Sequence, residues 1–159
     1  MDKVNDHYLQ INSDYIGCVD DTCLATGELL PVKDTPFDFN KRKRIGQDLE
    51  ADHIQLKNAF GYDHSFVLNG TENQLTLEEP VSGRRLIIST TAPVVQVYTG
   101  NFLKDGCIGK AGRVYENREG VALETQLMPN AINTEENPST ILRKGDKFES
   151  NTKYVFEIM

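Results

Sequence analysis

The chain has 159 residues, of which 38% are hydrophobic and 26% are charged. It can therefore bury a hydrophobic core, and its composition differs from that of a disordered polypeptide. Its formal net charge of -7 argues against a nucleic acid or an anionic membrane as partner, because both attract an excess of Lys and Arg. An uncharged ligand is compatible with this balance.

The start of the chain and its cysteines indicate the compartment. The first ten residues, MDKVNDHYLQ, are polar, and no apolar run approaches the ~20 residues of a membrane-spanning helix, so we expect a soluble, cytoplasmic protein. The three cysteines, Cys18, Cys23 and Cys107, are an odd number, which indicates reduced thiols rather than a disulfide framework. No second Cys or His pair has the spacing that a zinc site needs, so we expect no metal.

Short strands dominate the predicted secondary structure. In chain order they are residues 7–12, 14–19, 27–32, 35–39, 64–70, 73–80, 84–91, 93–102, 120–127 and 153–158. Within residues 45–61 we expect a short helix or turn near residues 45–49. Asn69-Gly70 is predicted to be a hairpin-type turn, and Ser82-Gly83 a second turn. This pattern predicts an all-β sandwich or barrel, with residues 1–159 forming a single domain.

A carboxylate interrupts the strand predicted over residues 120–127. Val121 and Leu123 lie on an apolar face, whereas Glu124 and Gln126 lie on the opposite face, because side chains alternate along a strand. A glutamate in such a strand usually just faces solvent. The neighbouring acid and amide nevertheless make Glu124 a candidate functional residue.

Two further strands carry polar residues that could join Glu124. Gln96 lies on the polar face of residues 93–102, and Asp63 lies where a loop enters the strand of residues 64–70. If these strands share a sheet, the three side chains converge on one surface, with Tyr98 or Phe66 beside them. Sugars are bound in this way, by carboxylates and amides that exchange hydrogen bonds with hydroxyls. The alternatives are a turn-capping role for Asp63 and an ordinary outer-face amide at Gln96.

Six stretches of the chain occur in an order that resembles the aldose 1-epimerase (galactose mutarotase) family. They are HYLQINSDYI, TGELLPVKDTPFDF, GYDHSFVLNG, VVQVYTGNF, GVALETQLMPNAIN and a tail beginning LRKGDKF. The resemblance covers essentially the whole chain but only the C-terminal half of the family's sequence. It implies an antiparallel β-sandwich with a concave sugar-binding face, truncated to its C-terminal part.

The resemblance also implies a reaction and a role for each polar residue. Glu124, in the ETQ motif, is implied to be the catalytic base, while Asp63, in the G-x-D-H motif, and Gln96, in the VQ-x-YTGNF motif, contact the sugar. The base removes the proton of the anomeric hydroxyl, an acid protonates the ring oxygen, and the opened ring closes on its other face. Hexoses such as glucose and galactose are the implied substrates. Only protons move, so we expect no cofactor. We also expect Glu124 to be partly buried, since desolvation raises the pKa of a carboxyl.

The chain departs from the family pattern at its presumed general acid. That histidine lies in an N-H-[ST]-Y-F-N motif of the half that is not matched here, and His7 occupies a different position. Asn130 is a smaller departure, where the family commonly has Asp. We expect the chain alone to be a weak or inactive epimerase that self-associates or pairs with the missing N-terminal half. The alternatives are a non-catalytic carbohydrate-binding β-sandwich and an inactive fragment.

Overall fold

Two antiparallel sheets form the framework of the computed structural model, which describes residues 3–104, 108–134 and 140–159. The strands are β1 (Tyr8–Ile11), β2 (Ser13–Val19), β3 (Ala25–Pro31), β4 (Lys43–Arg44), β5 (Asp63–Leu68), β6 (Leu75–Glu79), β7 (Arg84–Thr90), β8 (Val94–Tyr98), β9 (Ala122–Gln126) and β10 (Thr152–Ile158). The described residues also contain the helix α1 (Ile54–Asn58) and 3-10 turns at Val4–Asp6, Ile45–Gln47, Lys110–Gly112 and Ala131–Asn133.

Each sheet has five strands. Sheet A has the strand order β10-β7-β6-β1-β4, and sheet B has the order β3-β2-β5-β8-β9. All neighbouring strands for which a register is defined run antiparallel. The predicted all-β sandwich is therefore confirmed. No helix in the described part of the chain is long and apolar enough to cross a membrane.

The core lies between the sheets because period-two alternation gives each sheet one apolar face. Its fully buried members come from both sheets: Leu9, Ile11, Ile16, Phe66, Val95 and Val97. Phe37, Phe39 and Tyr62 add edge-to-face aromatic contacts, with the ring centre of Tyr62 5.5 Å from that of Phe37 and 5.2 Å from that of Phe39. Val121 and Leu123 pack against this core, which confirms the predicted apolar face of residues 120–127.

The strand predicted over residues 35–39 is wrong. These residues form turns instead, because the Thr35 hydroxyl donates to the Val32 carbonyl at 2.6 Å and accepts from the Phe37 N–H at 3.2 Å. Such local side-chain bonds compete with strand pairing. The turns direct Phe37 and Phe39 into the core, where both rings are almost fully buried.

Two turn predictions have different outcomes. Ser82-Gly83 joins β6 to β7, which are paired in sheet A. Asn69-Gly70 does not close a hairpin, because it leads from β5 in sheet B to β6 in sheet A. The expected turn near residues 45–49 is present as the 3-10 turn Ile45–Gln47, while α1 follows later in the same segment.

Within the described residues, the inner face of sheet A is covered only in part at strand β10, where Thr152 contacts Thr125 of β9 but the following side chains of that face are exposed. Register aligns Leu9, Leu77, Leu86 and Phe156 in one row across four strands. Leu9 is fully buried at one end of this row, whereas Phe156 is 78% exposed at the other. The same apolar face therefore passes from core to solvent within one sheet.

Candidate functional site

Three neighbouring strands of sheet B bring the predicted polar residues together. Strands β5, β8 and β9 are adjacent, and register sets Ser65 opposite Gln96 and Gln96 opposite Glu124. The Gln96 Nε2 atom donates a hydrogen bond to Asp63 Oδ1 at 2.7 Å. The structure thus places Asp63, Gln96 and Glu124 on the outer face of one sheet, as the strand pattern predicted.

Alternation along β8 explains why Gln96 faces outward. Val95 and Val97 on either side of it are buried in the core. The same period-two pattern directs His64 and Phe66 of β5 inward and Asp63 and Ser65 outward. The polar surface is therefore fixed by the apolar residues that alternate with it.

An open cavity of about 470 Å³ lies over this surface. Its lining comprises Asp63, Gln96, Tyr98, Phe102, Glu124, Gln126 and Pro129. A smaller cavity of about 120 Å³ shares Asp63, Gln96 and Pro129 with it and extends over Ser65. Carboxylates, amides and aromatic rings around one cavity can hold a polyhydroxylated ring.

Asp63 is half-buried, and burial raises the pKa of its carboxyl above the ordinary value, while the hydrogen bond from Gln96 acts in the opposite direction. A carboxylate that is partly desolvated has fewer competing waters and is a better acceptor for a ligand hydroxyl. Its Oδ1 atom is held by Gln96, which leaves the second carboxylate oxygen to accept from a ligand.

Glu124 is exposed, so the expected partial burial is wrong for the described residues. The reason is its position on β9, which is the edge strand of sheet B. Its neighbour on the outer face is Gln96 of β8, and the described chain supplies no strand on the other side. The side chain is therefore accessible to a ligand in the cavity.

Comparison with known protein families identifies the family of the chain. A family described as aldose 1-epimerase matches residues 2–155. The chain belongs to the aldose 1-epimerase family. Galactose mutarotase from Homo sapiens is 38% identical over 159 residues, which cover 98% of this chain and 45% of the relative. Aldose 1-epimerase from Escherichia coli (strain K12) is 35% identical over 159 residues, covering 96% of this chain and 45% of the relative.

Solved structures agree with the family assignment. The GalM/aldose epimerase homologue from C. elegans superposes with a TM-score of 0.88 at 30% identity, covering 99% of this chain and 47% of the homologue. Galactose 1-epimerase from Lactobacillus acidophilus gives a TM-score of 0.74 at 31% identity, covering 98% of this chain and 45% of that enzyme. This member of the aldose 1-epimerase family therefore spans about half the length of the relatives it matches.

None of the three histidines of this aldose 1-epimerase family member lines the cavity. His64 is fully buried on the inner face, where its Nε2 lies 3.2 Å from Gln55 Oε1, and burial lowers its pKa to about 3. His53 caps α1 by accepting from the Gln55 N–H. His64 is therefore neutral at physiological pH and on the wrong side of the sheet to exchange protons with a ligand near Glu124.

The aromatic residues at the site differ in part from the prediction. Tyr98 lines the cavity, but Phe66 does not, because alternation places it in the core. Phe102, which the sequence reasoning missed, is 45% exposed and lines the cavity. Its backbone N–H donates to the Tyr98 hydroxyl at 3.0 Å, and its ring packs edge-to-face against Phe60 at 5.4 Å.

No group of three or more His, Cys, Asp or Glu side chains within residues 3–104, 108–134 and 140–159 is arranged to hold a metal ion. Cys18 and Cys23 are free thiols near the small cavity, and Cys107 lies outside the described residues.

A separate cavity of about 530 Å³ is lined by none of Asp63, Gln96 and Glu124. Its two cations already have partners, since Lys57 pairs with Asp52 and Arg118 donates to the Phe60 carbonyl.

Proposed function

We propose that this chain contributes the catalytic base and sugar-binding residues of an aldose 1-epimerase site. Such a site interconverts the α and β anomers of hexoses such as glucose and galactose. The observation that supports it best is the arrangement on sheet B, where Asp63 and Gln96 are hydrogen-bonded to each other beside the exposed Glu124. The names of the relatives, galactose mutarotase and aldose 1-epimerase, point to the same reaction.

In this proposal Glu124 accepts the proton of the anomeric hydroxyl. Asp63 and Gln96 orient the ring, because one carboxylate oxygen and one amide N–H remain for sugar hydroxyls after their mutual hydrogen bond. The ring opens when an acid protonates the ring oxygen, and closure on the other face reverses both proton transfers. The family resemblance assigns the acid to a histidine in a motif that these 159 residues do not contain.

The exposed inner face of β10 suggests what completes the site. We propose that the part of the family fold that this chain does not span covers Phe156 and its neighbours, whether it is supplied by the same polypeptide or by another. Two facts support this occupant: the relatives are about twice as long as the match, and the exposed face continues the core rows of sheet A.

We also propose that the chain acts in the cytoplasm, where Cys18 and Cys23 stay reduced.

A second candidate function is sugar binding without turnover. It is favoured by one observation, that the cavity is lined by hydrogen-bonding groups and aromatic rings but by no imidazole. A weak lectin-like surface needs only such groups, whereas ring opening also needs the acid.

Polarimetry on freshly dissolved α-D-galactose and α-D-glucose distinguishes the two. The chain is measured alone and mixed with the part of the Homo sapiens relative that it does not match. We expect acceleration in the mixture and a loss of about 10²-fold or more in Glu124→Gln, since a positioned base contributes 10²–10⁴-fold. Glu72→Gln is the matched control, because Glu72 is exposed and outside the cavity.

Each of two outcomes would contradict a different part of this proposal. Acceleration that survives in Glu124→Gln would remove Glu124 from the base role. Galactose binding without acceleration in any mixture would favour the second candidate.

A further inference from the structure

A buried serine adjoins the candidate site without facing the open cavity. Ser65 lies on the outer face of β5, is only 3% exposed, and lines the smaller cavity together with Gly17 and Met128. Its hydroxyl donates to Gln96 Oε1 at 2.5 Å. Gln96 Nε2 in turn donates to Asp63 Oδ1 at 2.7 Å, so three side chains form one directed series of hydrogen bonds.

The chemistry of the three groups fixes the direction of this series. An ionised Asp63 can only accept, so the Gln96 NH₂ group must face it. The Gln96 carbonyl oxygen then faces Ser65, whose hydroxyl must donate. A rotation of the amide by 180° would place the carbonyl oxygen against the carboxylate, two acceptors with no proton between them.

Burial makes the Ser65 bond effective. Ser65 is only 3% exposed, and Gly17 and Met128 line the small cavity beside it. Little water reaches the hydroxyl, and a hydrogen bond that does not compete with water holds its partner more firmly. Gln96 itself is only partly buried and would otherwise sample other rotamers.

We infer that Ser65 is a positioning residue that acts through Gln96: it fixes the amide so that Nε2 holds Asp63 Oδ1 and leaves the other carboxylate oxygen directed at the ligand. The inference deepens the proposed function and rests on it for the identity of the ligand. The arrangement of Ser65, Gln96 and Asp63 can be tested without any sugar.

The primary measurement is the pKa of the Asp63 carboxyl, followed by carbon-detected NMR titration of the 159-residue chain. Because the hydrogen bond from Gln96 lowers this pKa, Ser65→Ala should raise it. Ser65→Thr keeps the hydroxyl, so the pKa of Asp63 should stay at the value of the unaltered chain. In a Gln96→Ala background, Ser65→Ala should change nothing further, since the intermediate residue is gone.

Ser13→Ala is the matched control. Ser13 is another buried strand serine, 1% exposed, and its hydroxyl donates to the Tyr15 carbonyl and contacts neither Gln96 nor Asp63. It should lower the melting temperature as Ser65→Ala does and leave the Asp63 titration unchanged. An unchanged Asp63 titration in Ser65→Ala, or a change of equal size in the Gln96→Ala background, would overturn the inference.

Galactose titration by calorimetry supplies the link to function. Where the complemented chain binds galactose, Ser65→Ala should weaken binding about fivefold, as expected for one hydrogen bond, and Ser65→Thr should bind as the unaltered chain does. Undiminished affinity in Ser65→Ala would contradict the positioning role. A chain that fails to bind galactose at all would contradict the proposed function, while the Asp63 titration would still decide the role of Ser65.

Discussion

At the residue scale, His64 is expected to make the fold sensitive to mild acid. It is fully buried beside Gln55 and Phe37, and burial lowers its pKa to about 3, well below the ~6.5 of an unfolded histidine. Between these two pKa values the unfolded chain binds one more proton than the folded chain. Stability is therefore lost as the pH falls below about 6.5, by up to ~1.4 kcal/mol per pH unit from this group.

Urea unfolding at pH 7 and pH 5 measures this effect. We expect the free energy of unfolding to be about 2 kcal/mol lower at pH 5, and His64→Gln to remove most of the difference. His7→Gln is the control, since His7 is only partly buried and should leave the difference intact. The same pH dependence in His64→Gln as in the unaltered chain would contradict this role of His64.

The same alternation that buries His64 explains how much of the site could be predicted from sequence. Counting outward from the apolar residues of β8 and β9 predicted the outer-face positions of Gln96 and Glu124. Counting from Asp63 along β5 would have excluded Phe66 as well, because it lies an odd number of residues away. Alternation also places Ser65 on the outer face, but its hydrogen bond to Gln96 depends on cross-strand register, and the position of Phe102 depends on the path of a turn.

At the element scale, the turn after β8 sets the position of Phe102 and the approach to β9. Gly100 has φ +66°, and a Cβ atom there would lie 2.7 Å from the Gly120 carbonyl oxygen and 2.8 Å from Leu103 Cδ1. Asn101, which is buried, donates to the carbonyls of Ala59 and Tyr62 at 2.6 and 3.1 Å. The turn therefore has no room for a side chain at position 100.

Gly100→Ala should lower the free energy of unfolding by about 3 kcal/mol, from backbone strain and the close approach of Gly120. Gly70→Ala is the matched control, because Gly70 has φ +72° with no atom within 4 Å of the added carbon, and should cost only about 1 kcal/mol. Thermal or urea unfolding of both variants gives the comparison. Equal losses would mean that the close contacts at Gly100 relax without cost.

The sequence predicted well those strands in which apolar and polar residues alternate over the full length. Strand β8 is an example, since two valines in the core alternate with Gln96 and Tyr98. Helix α1 has five residues, which is too short for an apolar pattern at helical spacing, and β4 has two. Asn69-Gly70 is a good turn sequence, but its chemistry does not say whether the chain stays in one sheet or crosses to the other.

At the scale of the whole molecule, the two faces of sheet A differ in chemical character at β10. On the outer face Arg85 lies between Glu78 and Glu157, at 2.9 and 3.4 Å, so that row ends in ion pairs that suit solvent. On the inner face, the row that begins with the fully buried Leu9 ends in Phe156, which is 78% exposed. An apolar row left open at a sheet edge favours association with another apolar surface.

We therefore expect the 159-residue chain to bind the complementary part of a relative, such as the portion of Homo sapiens galactose mutarotase that it does not match, and to self-associate in its absence. Sedimentation velocity over a range of concentrations measures both. Phe156→Ser should weaken association about 10- to 100-fold, the effect of removing ~1.5–3 kcal/mol of aromatic burial, without lowering the melting temperature of the chain alone. Lys153→Ser, on the outer face of the same strand, should change neither. A chain that stays monomeric at every concentration and does not bind the complementary part would contradict this account, because the exposed row would then be stable in water by itself.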